Sequence, residues 1–175
     1  MQDAFSYQVI NSQKSYSVYT HKELLGSLQK NSGAGEPVSI EIKEHLYKLE
    51  IAGIINPVIS VIDTITNEVL GKIKISSFGR LFPKVIFEYK SSRLKWVSKS
   101  FFSLHWQWIK NEVPIIETVE NFQPGKQKGV IRLSDYFADS DLLIMMGVYL
   151  RNNIRALPLN RFSNTKTKAF FSDNN

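Results

Sequence analysis

The sequence predicts a mainly β fold, an antiparallel sheet that closes into a barrel around one buried, hydrophobic C-terminal helix. Three observations predict it. Strand-length stretches of alternating apolar and polar residues recur from residue 5 to residue 133, divided by short polar turns. Residues 142–150, Leu142, Leu143, Ile144, Met145, Met146, Gly147, Val148, Tyr149 and Leu150, form an apolar block with no polar face. A helix that is apolar all round must be covered on every side. Nine residues at about 1.5 Å each span only ~14 Å, which excludes a bilayer, so the economical cover is the strands that precede it.

Taken in order, residues 5–10 and 15–20 alternate and predict a hairpin. Residues 21–30 predict a short helix, because Leu24, Leu25 and Leu28 fall on one helical face. Residues 31–37 carry two glycines and a proline and predict a loop. Residues 39–53 read as one strand with a bend or bulge near Glu44-His45. Hairpins follow over 58–63 and 69–75, over 85–89 and 94–97, and over 104–109 and 113–119, and a further strand covers 129–133. A run of this length either curls into a barrel or splits into a sandwich. Asp139 or Ser140 is placed to cap the final helix, with acids at its front and arginines at its back.

The 175 residues are 43% hydrophobic, which supports one packed domain over residues 1–160, with 161–175 as a polar tail or last strand. The chain has no cysteine, which excludes disulfides, thiolate metal sites and a cysteine nucleophile. No signal-like leader or membrane-length apolar run is visible, so the expected location is cytoplasmic, peripheral to the membrane at most.

Charge is unevenly spread. Residues 1–71 carry net −3, residues 72–110 net +8 with Glu88 the one acid, and residues 111–175 net +1. The central segment interleaves Lys72, Lys74, Arg80, Lys84, Lys90, Arg93, Lys95 and Lys99 with Phe78, Phe82, Phe87, Tyr89, Trp96, Phe101 and Phe102. Such a field attracts anionic lipid headgroups, nucleic-acid phosphates or an acidic protein. The candidate anion-binding residues are Lys72, Lys74, Lys84, Lys90, Arg93, Lys95 and Lys99. The plainer reading is that alternation, as in Lys72-Ile73-Lys74-Ile75, puts the lysines in solvent and the aromatics inside. Aromatics left outside would instead offer stacking surfaces for single-stranded bases, the less favoured partner.

Catalytic and metal motifs are not seen. His21, His45 and His105 lack ligand spacing, and Asp135, Asp139 and Asp141 suit a helix start better than a calcium loop. The run 125–129, Gly-Lys-Gln-Lys-Gly, lacks the P-loop spacing and reads as a basic hairpin tip. Trp106 and Trp108 share a strand face and are expected to pack on the helix. The chain is therefore read as a non-catalytic binding or scaffold module with neither cofactor nor metal. A small-molecule or lipid carrier barrel is the alternative.

The segment 141–152, in which an acid leads an apolar block broken by a glycine and closed by polar residues, resembles the central helix of the tubby C-terminal-like superfamily. That superfamily includes LURP-one-related proteins and phospholipid scramblases. The aromatic-then-aliphatic hairpin 102–117 is similar to the strands that precede that helix. The resemblance implies a closed barrel of about twelve strands around the helix and, as in tubby proteins, a basic surface for phosphoinositide headgroups. The cysteine cluster of scramblases is absent. A pleckstrin-homology-like barrel also ends in a helix and binds phosphoinositides, but its helix keeps a polar face that residues 142–150 lack.

Overall fold

A computed structural model describes residues 3–11, 15–29, 37–53, 56–76, 83–98, 105–123, 126–134 and 139–154. The readings made for residues 31–36, Arg80, Lys99, Asp135 and 161–175, and for Phe78, Phe82, Phe101 and Phe102, lie outside these. Among the described residues twelve strands occur: β1 (Asp3–Asn11), β2 (Ser15–Thr20), β3 (Glu23–Gln29), β4 (Val38–Ile42), β5 (His45–Ala52), β6 (Val58–Asp63), β7 (Val69–Ser76), β8 (Lys84–Tyr89), β9 (Ser92–Ser98), β10 (His105–Lys110), β11 (Val113–Gln123) and β12 (Lys126–Leu133). Each pairs antiparallel with its neighbour in sequence, and β1 pairs with β12 to close the barrel. Among the described residues one helix, α1 (Ser140–Asn153), follows.

Two sequence expectations are corrected. Residues 23–29 form β3, not a helix. Leu25 and Leu28, three residues apart, are both buried because the register against β2 shifts between Val18 and Tyr19. Val18 faces Gly26 and Tyr19 faces Leu24, so Leu25 is an extra residue. A bulge of this kind reverses the inside–outside alternation, and that is what mimicked a helical face. Residues 39–53 are two strands, not one bent strand. Lys43 and Glu44 form the turn between them, with φ of 46° and 67°. Positive φ at both central residues is the geometry whose twist suits a two-residue hairpin. His21-Lys22 and Asn111-Glu112 do the same, so glycine-free turns carry three hairpins.

Inward residues come from every strand, among them Val18, Leu28, Ile40, Leu49, Ile59, Ile73, Phe87, Leu94, Trp106, Trp108 and Ile131, each fully buried. The exposed face carries Lys72, Lys74, Glu88, Arg93 and Lys95 on β7 to β9. Apolar inside and charged outside is the reverse of a membrane-spanning barrel, whose outer band is apolar. Among the described residues no helix is long and apolar enough to cross a membrane.

The helix is inside the barrel. Leu142 to Leu150 are all buried, and nine consecutive positions cover every azimuth of a helix. Its partners lie on opposed walls. The Trp108 indole Nε1 of β10 donates to the Leu143 carbonyl at 2.7 Å. A Cβ on Gly147 would overlap the Trp106 ring, also of β10. A Cβ on Gly26 of β3 would sit 3.3 Å from the Met145 sulfur. In the ring order β3 and β10 are five strands apart by the shorter way round. Helix ends are tied as well: Asn153 Nδ2 donates to the Tyr149 carbonyl at 2.7 Å, and Asn152 Nδ2 reaches Gln127 Oε1 at 3.4 Å. Asp141 in the first turn and Arg151 in the last oppose the macrodipole as expected. Asp139 occupies the N-cap but makes no cap through its side chain, contrary to expectation. The Asp139 carboxylate is drawn instead to Lys90 at 2.9 Å.

Candidate anion-binding wall

Alternation along β7 sends Ile73 and Ile75 into the core and Lys72 and Lys74 into solvent. Strand pairing then sets their neighbours. One outer row reads Lys72, Glu88, Arg93 across β7, β8 and β9. The next reads Lys74, Ile86, Lys95. Lys84 sits opposite Ser76, one row further along. Strands are about 4.8 Å apart and rise about 3.4 Å per residue, so these five cations occupy roughly 10 by 14 Å. Glu88 is the acid among them. Its carboxylate lies 2.7 Å from the Lys74 ammonium. That hydrogen bond, helped by the charges of Lys74, Arg93 and Lys72, holds the Glu88 carboxyl below its usual range. Among the described residues, Lys74 is the member of this set with a carboxylate within ion-pair distance.

The barrel does not bring every sequence candidate to this wall. Lys90 lies in the β8–β9 turn, paired with Asp139 and 5.1 Å above the Tyr89 ring. Phe87, Tyr89 and Trp96 point into the core. These three are closed to base stacking; Phe78, Phe82, Phe101 and Phe102 lie outside the described residues. Residues 126–129 belong to β12, where Lys128 faces Gln8 and Gly129 faces Tyr7, while Gly125 lies outside the described residues. The solvated-lysine reading of the alternation is correct as geometry, and the same geometry concentrates the charge.

A second polar cluster went unseen in the sequence. The strands alternate in direction, so the β4–β5, β6–β7 and β8–β9 turns share the end of the barrel where α1 begins. There His45 Nε2 meets Asp63 Oδ2 at 2.8 Å, and Asp63 Oδ1 accepts the backbone N–H groups of Ile65 and Thr66. The His45 hydrogen bond, then those two amides, keep the Asp63 carboxyl below its ordinary range. Tyr47 stacks on His45 with ring centres 4.7 Å apart. Burial raises the Tyr47 and Tyr89 phenols, and nearby Asp139 raises them further. Lys43 reaches Asp141 at 2.8 Å. Two lysines on separate turns thus strap the helix N-terminus to the rim. His45, Asp63, Lys90 and Asp139 belong to separate elements, so no local spacing announces the group. Among the described residues no group of histidines and acids is arranged to hold a metal.

Comparison of the chain with models of known protein families, with curated proteins and with solved structures finds no match.

Proposed function

We propose that the protein is a non-catalytic module whose β7–β9 wall binds anionic lipid headgroups at a membrane surface. The observation that carries this reading is the wall itself, five cations around one acid on three adjacent strands. Clustered Lys and Arg near an anionic leaflet contribute about 1 kcal/mol each. The tubby-like resemblance points the same way, and a twelve-stranded barrel closed around a helix is the fold it implies. A carrier role finds less support, since α1 occupies the interior that a ligand would need.

Flotation with anionic and with neutral vesicles across a salt series tests the proposal. Binding should require the anionic lipid and fade with salt as screening grows. Charge reversal at Lys72, Arg93 and Lys95 removes at least about 3 kcal/mol on that scale, on the order of 100-fold or more in affinity. Lys90 is left intact because its pair with Asp139 belongs to the rim. Vesicle binding that survives the triple reversal refutes the assignment.

A further inference from the structure

Large apolar side chains are exposed at six described positions, and three of them lie together. Ile65 is 72% exposed in the β6–β7 turn, Val69 47% at the start of β7, and Leu46 41% at the start of β5. The backbone joins them: Thr64 donates both its N–H and its hydroxyl to the Leu46 carbonyl, and Val69 pairs with Ile62, which pairs with Lys48. Register shifts between Val61 and Ile62, leaving Leu70 as an extra residue, and this bulge sits at the base of the hairpin. Asp63 braces the tip from within through the Ile65 and Thr66 amides. The result is a held hairpin that presents Ile65 outward in the turn that leads into β7, the strand of Lys72 and Lys74.

We propose that the β6–β7 hairpin is an insertion element: Ile65, with Val69 and Leu46 beside it, enters the hydrocarbon boundary of an anionic bilayer while the β7–β9 cations engage its headgroups. The inference rests on the membrane reading of the wall. Its own content is that a bilayer, and not a soluble polyanion, is the full ligand. Charge complementarity selects this occupant, because the apolar tip is continuous with a wall of five cations around one acid. Apolar contact alone binds neutral surfaces weakly, and cations alone bind any polyanion; together they distinguish a bilayer from both.

The test uses the full chain with two probes: phosphatidylcholine vesicles with and without phosphatidylserine, and heparin as a soluble polyanion. Ile65→Asp should weaken binding to the anionic vesicles about tenfold or more and leave heparin binding unchanged. Such exposure makes the substitution compatible with folding, and a matching thermal transition checks this. Ile65→Cys labels uniquely, since the chain has no cysteine. An environment-sensitive fluorophore there should shift to the blue with anionic vesicles and not with heparin. If Ile65→Asp binds vesicles as the parent does and the fluorophore stays in water, insertion is overturned while the basic wall stands. If the parent binds heparin but not vesicles, insertion is overturned too. Binding to neither probe overturns both the wall and the hairpin. Sedimentation of a dimer that Ile65→Asp dissolves, with vesicle binding unchanged, would assign the patch to a second copy and overturn insertion.

Discussion

Gly147→Ala is the most informative single change in the helix. In an exposed helix, alanine in place of glycine gains about 1 kcal/mol from backbone entropy. Here the new Cβ would fall on the six-membered ring of Trp106, a side chain with no exposed surface, held on β10 between β9 and β11. The fully buried ring cannot swing aside without displacing core side chains, and α1 is hindered from shifting away because its opposite face meets β3 at Met145. Overpacking a filled core costs roughly 1–3 kcal/mol, and a clash with a rigid ring belongs at the upper end. The propensity gain offsets part of that, leaving a net loss of about 2 kcal/mol. For a domain of this length that lowers Tm by about 4–8 °C.

Urea unfolding followed by tryptophan fluorescence and by circular dichroism measures the loss. Pairing the change with Trp106→Leu completes a double-mutant cycle. The smaller side chain leaves space for the Cβ, so the double variant should be more stable than the two single losses predict, by about 1 kcal/mol or more. Equal or higher stability in Gly147→Ala alone would refute a helix seated against Trp106. It would favour a helix that caps an open barrel, where position 147 has room.

Other consequences follow from particular positions. Met146→Asp puts a charge among fully buried neighbours, at a cost of several kcal/mol; a soluble variant that unfolds cooperatively would contradict the interior helix. Glu44→Gly relieves a left-handed φ of 67° and should raise stability by about 0.5–1 kcal/mol, read as a higher urea midpoint; a lower midpoint refutes the strain. Asp63 holds its carboxyl below the ordinary value of 3.8, so its ionised form stabilises the fold above that pH and the contribution is lost as pH falls through the folded value. Asp63→Asn should therefore show a shallower loss of stability than the parent below pH 3.8. Tyr149 is shifted the other way, raised above its ordinary 10.0 by burial, so its contribution is complete below pH 10.0 and lost as pH rises past it. Tyr149→Phe should flatten the alkaline fall in stability, and an unchanged fall would count against its burial.

The alternation of β7 was legible because nothing interrupts it after Leu70, and the same period of two that read as strand also assigned Lys72 and Lys74 to solvent. Helix α1 was legible for the opposite reason, a block with no period at all. Legibility failed where backbone geometry departs from side-chain pattern. The β2–β3 bulge made Leu25 and Leu28 look helical, and the Lys43-Glu44 turn has none of the glycine, proline or asparagine by which hairpin turns announce themselves. The rim cluster failed for a third reason. Its members, His45, Asp63, Lys90 and Asp139, come from four separate elements and meet at one barrel end, through β5–β6 pairing and the docking of the helix start, which no local spacing records.

Closure itself depends on the helix. Pairing β1 with β12 sets Phe5 against Ile131, across nearly the whole described chain, and loop-closure entropy opposes so distant a contact. A barrel shut without α1 would leave Trp106, Trp108, Phe87 and Ile131 facing a void, and α1 released from the barrel would expose nine apolar residues to water. Neither half is a stable product alone. The last element of the sequence therefore completes the core of the first, and the two lysine straps, Lys43 to Asp141 and Lys90 to Asp139, are partly exposed pairs worth about 0–1 kcal/mol each. They set where the helix N-terminus docks, while apolar burial supplies the drive. Removing a strap should leave the fold intact, whereas polar substitution inside the block should abolish it.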